Sequence, residues 1–293
     1  MQFELAVVLF NPKSTGESER NARRLGRRLV RAKVAEVVQV IATTHAGHAE
    51  ELVVELAEQH ASLLAVSSSG DGGYNELING ALKARRKGHR VVTGLLPSGN
   101  ANDHYKALHK PYVIRRLKAG QLQSVDVLKV QTTIKGKSWE RYAHSYIGFG
   151  ITSKIGKALN ETDLTPTKEI LVTAKAFLEF EAFEAVVDKK QQMFQSIIVS
   201  NVGKMSKFFK MSKSARVDDG KFEVITAEAD KAKLLSTMVK SATIGVPHEK
   251  QAKTFSFRTV GALPVQLDGE VFTIDADSLV TVTVGHNELT CII

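Results

Sequence analysis

The chain has 293 residues, 43% hydrophobic and 24% charged, which excludes a disordered polypeptide and gives enough length for two domains. Its single cysteine, Cys291, excludes an internal disulfide framework and a cysteine-rich zinc site, and fits a reducing, cytoplasmic compartment. With 40 basic against 31 acidic residues the formal charge is +9, which favours a polyanionic partner: nucleic acid, an anionic membrane surface or phosphates.

The N-terminal run Phe3 to Phe10 is short, apolar and without a basic leader, so it reads as a strand and not a signal peptide. It ends in Asn11-Pro12-Lys13-Ser14-Thr15-Gly16. A helix follows, with Ala22, Leu25 and Leu29 at spacings of three and four. Gln39 to Ala42 reads as a short strand and Ala49 to Gln59 as a helix. Leu63 to Ser67 is a buried strand entering Ser68-Ser69-Gly70-Asp71-Gly72-Gly73. The next helix carries Leu77, Ile78, Ala81 and Leu82 on one face. Val91 to Leu96 is a strand entering Pro97-Ser98-Gly99-Asn100-Ala101-Asn102-Asp103. Strand, turn and helix repeated in this way predict a parallel α/β sheet. No apolar run approaches the roughly 18 residues of a membrane span, so any membrane contact is expected from the side.

Beyond Asp126 the period changes. Short strands are expected at 125–131, 140–147, 194–200, 222–226, 254–260, 265–267, 271–274 and 279–284, interrupted by helices from Pro166 to Val187 and from Lys231 to Ser241. This predicts an antiparallel β-sandwich or barrel. The expected division is residues 1–126 and 127–293. The wide apolar surface of the 166–187 helix is expected to pack on the sandwich core, with a lipid-contacting flap as the alternative.

Three strands thus end in turns rich in Gly, Ser and Asn, and each turn opens a helix. Unpaired N–H groups and the positive end of the helix dipole make such a turn a phosphate site, and glycine lets the phosphate approach the backbone. In a parallel sheet the turns lie together at the carboxyl ends of the strands. Asp71 and Asp103 sit inside two of them. A carboxylate beside phosphate calls for a cation, so the pair suggests a magnesium–nucleotide site; Asp103 also reads as an ordinary helix cap. The pattern G-x-x-x-x-G-K-[ST] is absent, and the G-x-G-x-x-G opening at Gly148 fails at Ser153. No Gly-x-Ser-x-Gly elbow supports a serine hydrolase. The nine histidines show no metal spacing.

These residues carry a resemblance. Asn-Pro-x-Ser at 11–14, Ser-Gly-Asp-Gly-Gly at 69–73 and Pro-x-Gly-Asn-x-Asn-Asp at 97–103 are similar to the successive motifs of the diacylglycerol kinase-type lipid kinases, which include sphingosine and ceramide kinases and, more distantly, NAD kinases. Val-Asp-Val at 125–127, Asp-Asp-Gly at 218–220 and Leu-Asp-Gly-Glu at 267–270 extend it in the same order. The resemblance implies a nucleotide-binding α/β domain, then a β-sandwich domain carrying the acceptor side of a cleft. The nucleotide, ATP, would contact Asn11, Pro12, Lys13, Ser14 and Thr15, then Thr43, then Ser69, Gly70, Asp71, Gly72, Gly73, Tyr74 and Asn75, and the Gly99–Asn100 turn. Asp71, Asp103 and Asp126 would organise magnesium and water. Asp268 or Glu270 would be the general base, and a structural magnesium site would fall on Arg216, Asp219 and Lys221. Read without the resemblance, Asp268-Gly269 is a tight hairpin turn.

The sequence departs from the family's Gly-Gly-Asp-Gly-Thr by Ser69 for the first Gly and Gly73 for the Thr, and from Pro-x-Gly-Thr-x-Asn-Asp by Asn100. Two hydroxyls expected on phosphate are therefore replaced, by a backbone N–H at Gly73 and an amide at Asn100.

Arg20, Arg23, Arg24, Arg27, Arg28 and Arg31 form a basic stripe on the first helix, with further clusters at 85–90 and 115–118. A stripe of this kind suits anionic headgroups, or is a solvated helix face. Nucleic acid ranks third, since aromatic residues are 6% and no stacking motif accompanies the arginines. The expectation is a cytoplasmic lipid kinase, peripheral at the inner membrane face, using ATP and magnesium on a lipid alcohol with diacylglycerol as default. The alternatives are a kinase of another alcohol (a sphingoid base or a soluble one) and a catalytically silent nucleotide- or lipid-binding module. A homodimer is left open.

Overall fold

The structure, a computed structural model, describes residues 2–14, 17–99, 102–108, 113–150, 182–205, 209–212, 214–229 and 249–292. The chain forms two compact units: Met1–Val127 with Val217–Asp219 and His286–Ile293, and Leu128–Arg216 with Gly220–Gly285. A single cut near residue 126 follows the chain order, but two later segments return to the first unit.

The first unit alternates as the periodicity predicts: β1 (Phe3–Phe10), α1 (Ser18–Arg31), β2 (Ala35–Ala42), α2 (His48–Gln59), β3 (Ser62–Ser69), α3 (Asp71–Arg86) and β4 (Arg90–Pro97), then the short α4 (Asp103–Ala107) and α5 (Val113–Lys118). The sheet order is β4-β3-β1-β2, all parallel, with Leu5 opposite both Val37 and Leu63. β1 and β3 are buried on both faces, which explains their unbroken apolar runs. β2 lies at the sheet edge and begins four residues before the expected Gln39; its exposed Glu36 and Val37 hide that start from an apolar-run reading. Ala22, Leu25 and Leu29 seat α1 on the sheet, and a Cβ at Gly26 would lie 2.6 Å from Val40 Cγ2, so only glycine allows this close approach. Among the described residues, no helix is long and apolar enough to cross a membrane.

The second unit is antiparallel, as expected. Its strands are the latter part of β5 (Leu122–Ile134), β6 (Lys137–Ala143), β7 (Tyr146–Gly150), β8 (Phe183–Val187), β9 (Lys190–Ser200), the minor β10 (Lys204–Met205) and β11 (Phe209–Lys210), β12 (Phe222–Glu228), β13 (Glu249–Ala252), β14 (Thr254–Thr259), β15 (Leu263–Leu267), β16 (Glu270–Ile274) and the first half of β17 (Leu279–Ile292). One core joins Phe149, Phe194, Phe222, Phe257, Leu267 and their neighbours.

Two expectations change here. Residues 183–187, expected as the end of a helix, form β8, paired with β9 from Phe183↔Phe194 to Val187↔Lys190. The turn Asp188-Lys189 has φ of 50° and 64°, the two-residue geometry that suits a right-twisted hairpin. The rest of that segment, and the expected Lys231–Ser241 helix, lie outside the described residues. The expected strand 140–147 is two strands, separated at His144-Ser145.

The C-terminal end of β17 enters the first unit, where Cys291 pairs with Thr93 of β4 in parallel. Cys291 is fully buried, and burial pushes its thiol up to about 12, so it is a packing residue without thiolate reactivity.

Candidate active site

Three turns leave β1, β3 and β4 at their carboxyl ends, and polar contacts knit them together. Ser14 Oγ donates to the Ser98 carbonyl, and Ser18 Oγ to the Asn11 carbonyl. Ser68 Oγ donates to Ser18 O at 2.7 Å and lies 3.2 Å from Ser98 Oγ, which also takes Asn21 Nδ2 at 3.3 Å. The Ser98 N–H donates to Ser69 O at 3.0 Å. Beyond these bonds the turns touch backbone to backbone: a Cβ at Gly99 would stand 2.3 Å from Gly70 Cα. Asn102, in the left-handed region at φ 52°, pairs reciprocally with Gly99, accepting its N–H at 3.1 Å and donating to its carbonyl at 2.7 Å.

α3 starts immediately after Gly70, with no side-chain cap, and its first internal bond is Tyr74 N–H to Gly70 O at 3.2 Å. The N–H groups of Gly72 and Gly73 therefore have no partner one helical turn back. The other predicted nucleotide residues fall around this assembly. Asn11 Oδ1 accepts the Lys13 N–H at 2.9 Å, and Pro12 and Lys13 are exposed. Thr43 closes the end of β2 onto Phe10, its N–H donating at 2.8 Å. Tyr74 and Asn75 are fully buried and turn inward: Tyr74 Oη lies 3.0 Å from Thr93 Oγ1, and Asn75 receives Asn79 Nδ2. Thr15 and Asn100 lie outside the described residues.

The three predicted acids of this unit have distinct surroundings. Asp71 reaches across to the next turn, where its two oxygens accept the N–H groups of Asp103 (3.2 Å) and His104 (3.4 Å) and so cap α4. Asp103 is buried as the first residue of α4 and not its cap, which is Asn102. Asp126 is fully buried; one oxygen contacts His286 Nδ1 at 2.7 Å and accepts the Asn287 N–H at 2.8 Å, fastening the returning C-terminal segment. Its own N–H donates to Val217 O at 2.7 Å.

In the second unit, Asp268-Gly269 is the two-residue turn between β15 and β16, with φ of 48° and 105°. Asp268 is fully buried. Its Oδ2 accepts the His144 N–H at 2.7 Å, and its Oδ1 accepts those of Ser145 and Tyr146, each at 3.0 Å. This carboxylate is what divides β6 from β7. His144 Nε2 lies 3.4 Å from Asp268 Oδ2, and His144 Nδ1 lies 2.7 Å from Ser145 Oγ. Glu270 is partly exposed and paired with Arg141 at 3.0 Å.

Of the expected structural metal residues, Asp219 belongs to the first unit and Arg216 and Lys221 to the second. Asp218 accepts Gln123 Nε2 at 2.8 Å. Among the described residues, no three His, Cys, Asp or Glu side chains group as a metal site.

Sequence reasoning missed His144, Arg141, His286 and Glu76. Glu76, on α3, caps α2 by accepting the N–H groups of Gly47 (2.8 Å) and Ala49 (3.3 Å). A signal was available for Glu76 in its place on the buried side of an amphipathic helix, where a lone carboxylate needs donors. His144, Arg141 and His286 had no such local signal.

Residues 5–130 match the diacylglycerol kinase catalytic domain, the stretch that holds all three turns. The family resemblance read from the motifs thus stands, and the chain is a kinase, a phosphotransferase with an alcohol group as acceptor. The chain is 25% identical over 286 residues to a diacylglycerol kinase of Staphylococcus saprophyticus, covering 90% of this chain and 88% of that one. In fold it is similar to a diacylglycerol kinase of Bacillus anthracis strain Sterne, with a TM-score of 0.68, 17% identity and coverage of 99% and 97%. A more distant fold relative is yeast NADH kinase complexed with NADH, with a TM-score of 0.52, 10% identity and coverage of 99% and 83%.

Proposed function

We propose that this kinase moves the γ-phosphoryl group of ATP, with Mg2+, to the hydroxyl of a lipid alcohol, diacylglycerol by default. The observation that carries the reading is the joined set of three turns with the uncapped start of α3. Phosphoryl transfer asks the protein for positioning and charge neutralisation; the backbone N–H groups of Gly72 and Gly73 are donors suited to phosphate oxygens, and the hydroxyls of Ser14 and Ser98 hold the turns that present them.

The donor set also fits magnesium. Mg2+ takes one or two carboxylates, with phosphate oxygens and water completing its shell, so a pre-built cage of three acids is not required. Asp71 and Asp103 are the acids of the two joined turns. Asp126, locked to His286 and Asn287, would act by holding the C-terminal segment in place. Arg216, Asp219 and Lys221 remain the proposed structural magnesium residues. Magnesium-bound ATP supplies the transferable phosphoryl group and neutralises its charge.

For the general base, Glu270 is the better placed of the two carboxylates. It is partly exposed and oriented by Arg141, whereas the fully buried Asp268 carboxylate accepts the backbone N–H groups of His144, Ser145 and Tyr146. Asp268 would then set the position of Glu270 two residues on. The test is transfer from γ-labelled ATP with magnesium to a total-lipid extract, with wild type beside Glu270→Gln. A labelled lipid seen with wild type and reduced about 100-fold or more in the variant is expected, the usual scale for a lost general base. Intact ATP binding without transfer to any lipid would reject the lipid-kinase reading in favour of a soluble acceptor or a silent binding module.

A membrane role is supported by the exposed arginines of α1. Arg20 and Arg23 pair with Glu17 and Glu19, while Arg24, Arg27, Arg28 and Arg31 extend the exposed stripe. A surface depression of about 490 Å³, lined by Pro12, Ser14, Arg20, Arg23 and Arg27 among others, joins that stripe to the first turn. The basic face and the donor site thus share one side of the unit, consistent with a cytoplasmic enzyme peripheral at the inner membrane face. Each charge near an anionic surface is worth about 1 kcal/mol. Replacing Arg24, Arg27, Arg28 and Arg31 by Gln is expected to lower sedimentation with anionic vesicles at least tenfold, and unchanged sedimentation would remove the membrane role.

A further inference from the structure

The first turn of α3 packs against the end of β3 so closely that two positions compete for one volume. A Cβ at Gly73 would stand 2.5 Å from Ser69 Oγ and 2.7 Å from Ser69 Cβ. Real Cβ atoms do not approach other heavy atoms this closely. Rotating Ser69 about χ1 moves Oγ but not Cβ, so the 2.7 Å contact survives in every rotamer. Rotation would also break the bonds that hold the hydroxyl, to Ser67 Oγ at 2.6 Å and to Gly70 O at 3.0 Å. Ser69 is buried, so its hydroxyl is turned into the protein as a brace.

We infer that Ser69 and Gly73 act as one unit. The strand residue takes the shared volume, position 73 must then be glycine, and this turn offers the donor phosphates backbone N–H groups alone. Ser69 is a positioning residue for those N–H groups. The related motif Gly-Gly-Asp-Gly-Thr has the reciprocal arrangement, with no side chain at the first position and a hydroxyl at the last. The two departures at 69 and 73 are one exchange and not two losses. The donor part of this inference rests on the kinase reading above; the steric coupling does not.

The test uses four full-length proteins: wild type, S69G, G73T and S69G/G73T. Melting is measured without nucleotide, and KM for magnesium-ATP and kcat are measured with it. Overpacking at Gly73 is expected to lower the Tm of G73T by about 5 °C or more. S69G/G73T is expected to melt above G73T and regain at least half of that interval, because both clashing atoms are gone. KM for ATP is expected to rise about tenfold or more in G73T and to recover in the double variant, with kcat changing less. A double variant that melts below G73T, its losses simply summed, would overturn the shared volume. Recovery of Tm with one KM across all four proteins would overturn the donor assignment. Failure of the kinase reading is distinguished by a wild type without turnover, while the melting comparison still decides the coupling.

Discussion

Asp268→Asn is expected to destabilise the second unit by about 3 kcal/mol, before any effect on chemistry is considered. The carboxylate is fully buried and accepts three backbone N–H groups from consecutive residues, His144, Ser145 and Tyr146. An amide keeps one acceptor oxygen and presents an NH2 where the other stood. If Oδ1 is kept for Ser145 and Tyr146, the new NH2 faces the His144 N–H, donor against donor. The negative charge that strengthens all three bonds is also lost. Urea unfolding of the purified variant measures the change, and the kinase assay on the same sample shows how much activity the folded fraction retains. Glu270→Gln, whose partner Arg141 is nearer the surface, is expected to unfold close to wild type while losing turnover. An Asp268→Asn protein with wild-type stability and a selective loss of kcat would instead make Asp268 the base.

Gly99→Ala is the corresponding test of the first unit. Its new Cβ would lie 2.3 Å from Gly70 Cα and 3.0 Å from Gly70 N, both backbone atoms that cannot rotate away. Relief requires the turns after β3 and β4 to separate, which disturbs the Ser98–Ser69 bond and the start of α3 together. A loss of about 3 kcal/mol and a fall in kcat/KM for ATP of about 100-fold are expected. Gly261→Ala is the control, since a Cβ there meets nothing within 4 Å and its φ is not positive. Melting of Gly99→Ala within about 1 °C of Gly261→Ala would show that the turns are not packed in this way.

Much of the site was legible in the residues because its signals are local. Asn11-Pro12-Lys13-Ser14, Ser69 to Gly73 and Gly99 to Asp103 follow buried strands and open helices, and the parallel sheet then brings all three to one edge. Asp268-Gly269 announced its hairpin because left-handed backbone conformations favour that pair. The end of the 166–187 helix was misread because Phe183 to Val187 has apolar residues that suit either period, and a left-handed Asp188-Lys189 turn is not a strong hairpin signal.

The sequence by itself determined the α/β-then-antiparallel class, the strands and helices of the first unit in their order, and the glycine-rich turns that carry the kinase resemblance. Periodicity and turn chemistry act within a few residues, so one chain is enough to read them. Only the tertiary structure decided what each acid does. Asp71 caps a helix 32 residues away, Asp126 fastens His286 at a separation of 160, and Asp268 gathers three N–H groups more than 120 residues upstream. It likewise decided that Ser69 and Gly73 share one space. A carboxylate's function depends on which donors surround it, and a glycine's on what lies where its Cβ would be. Both are set by packing between segments that carry no mark of one another in the sequence.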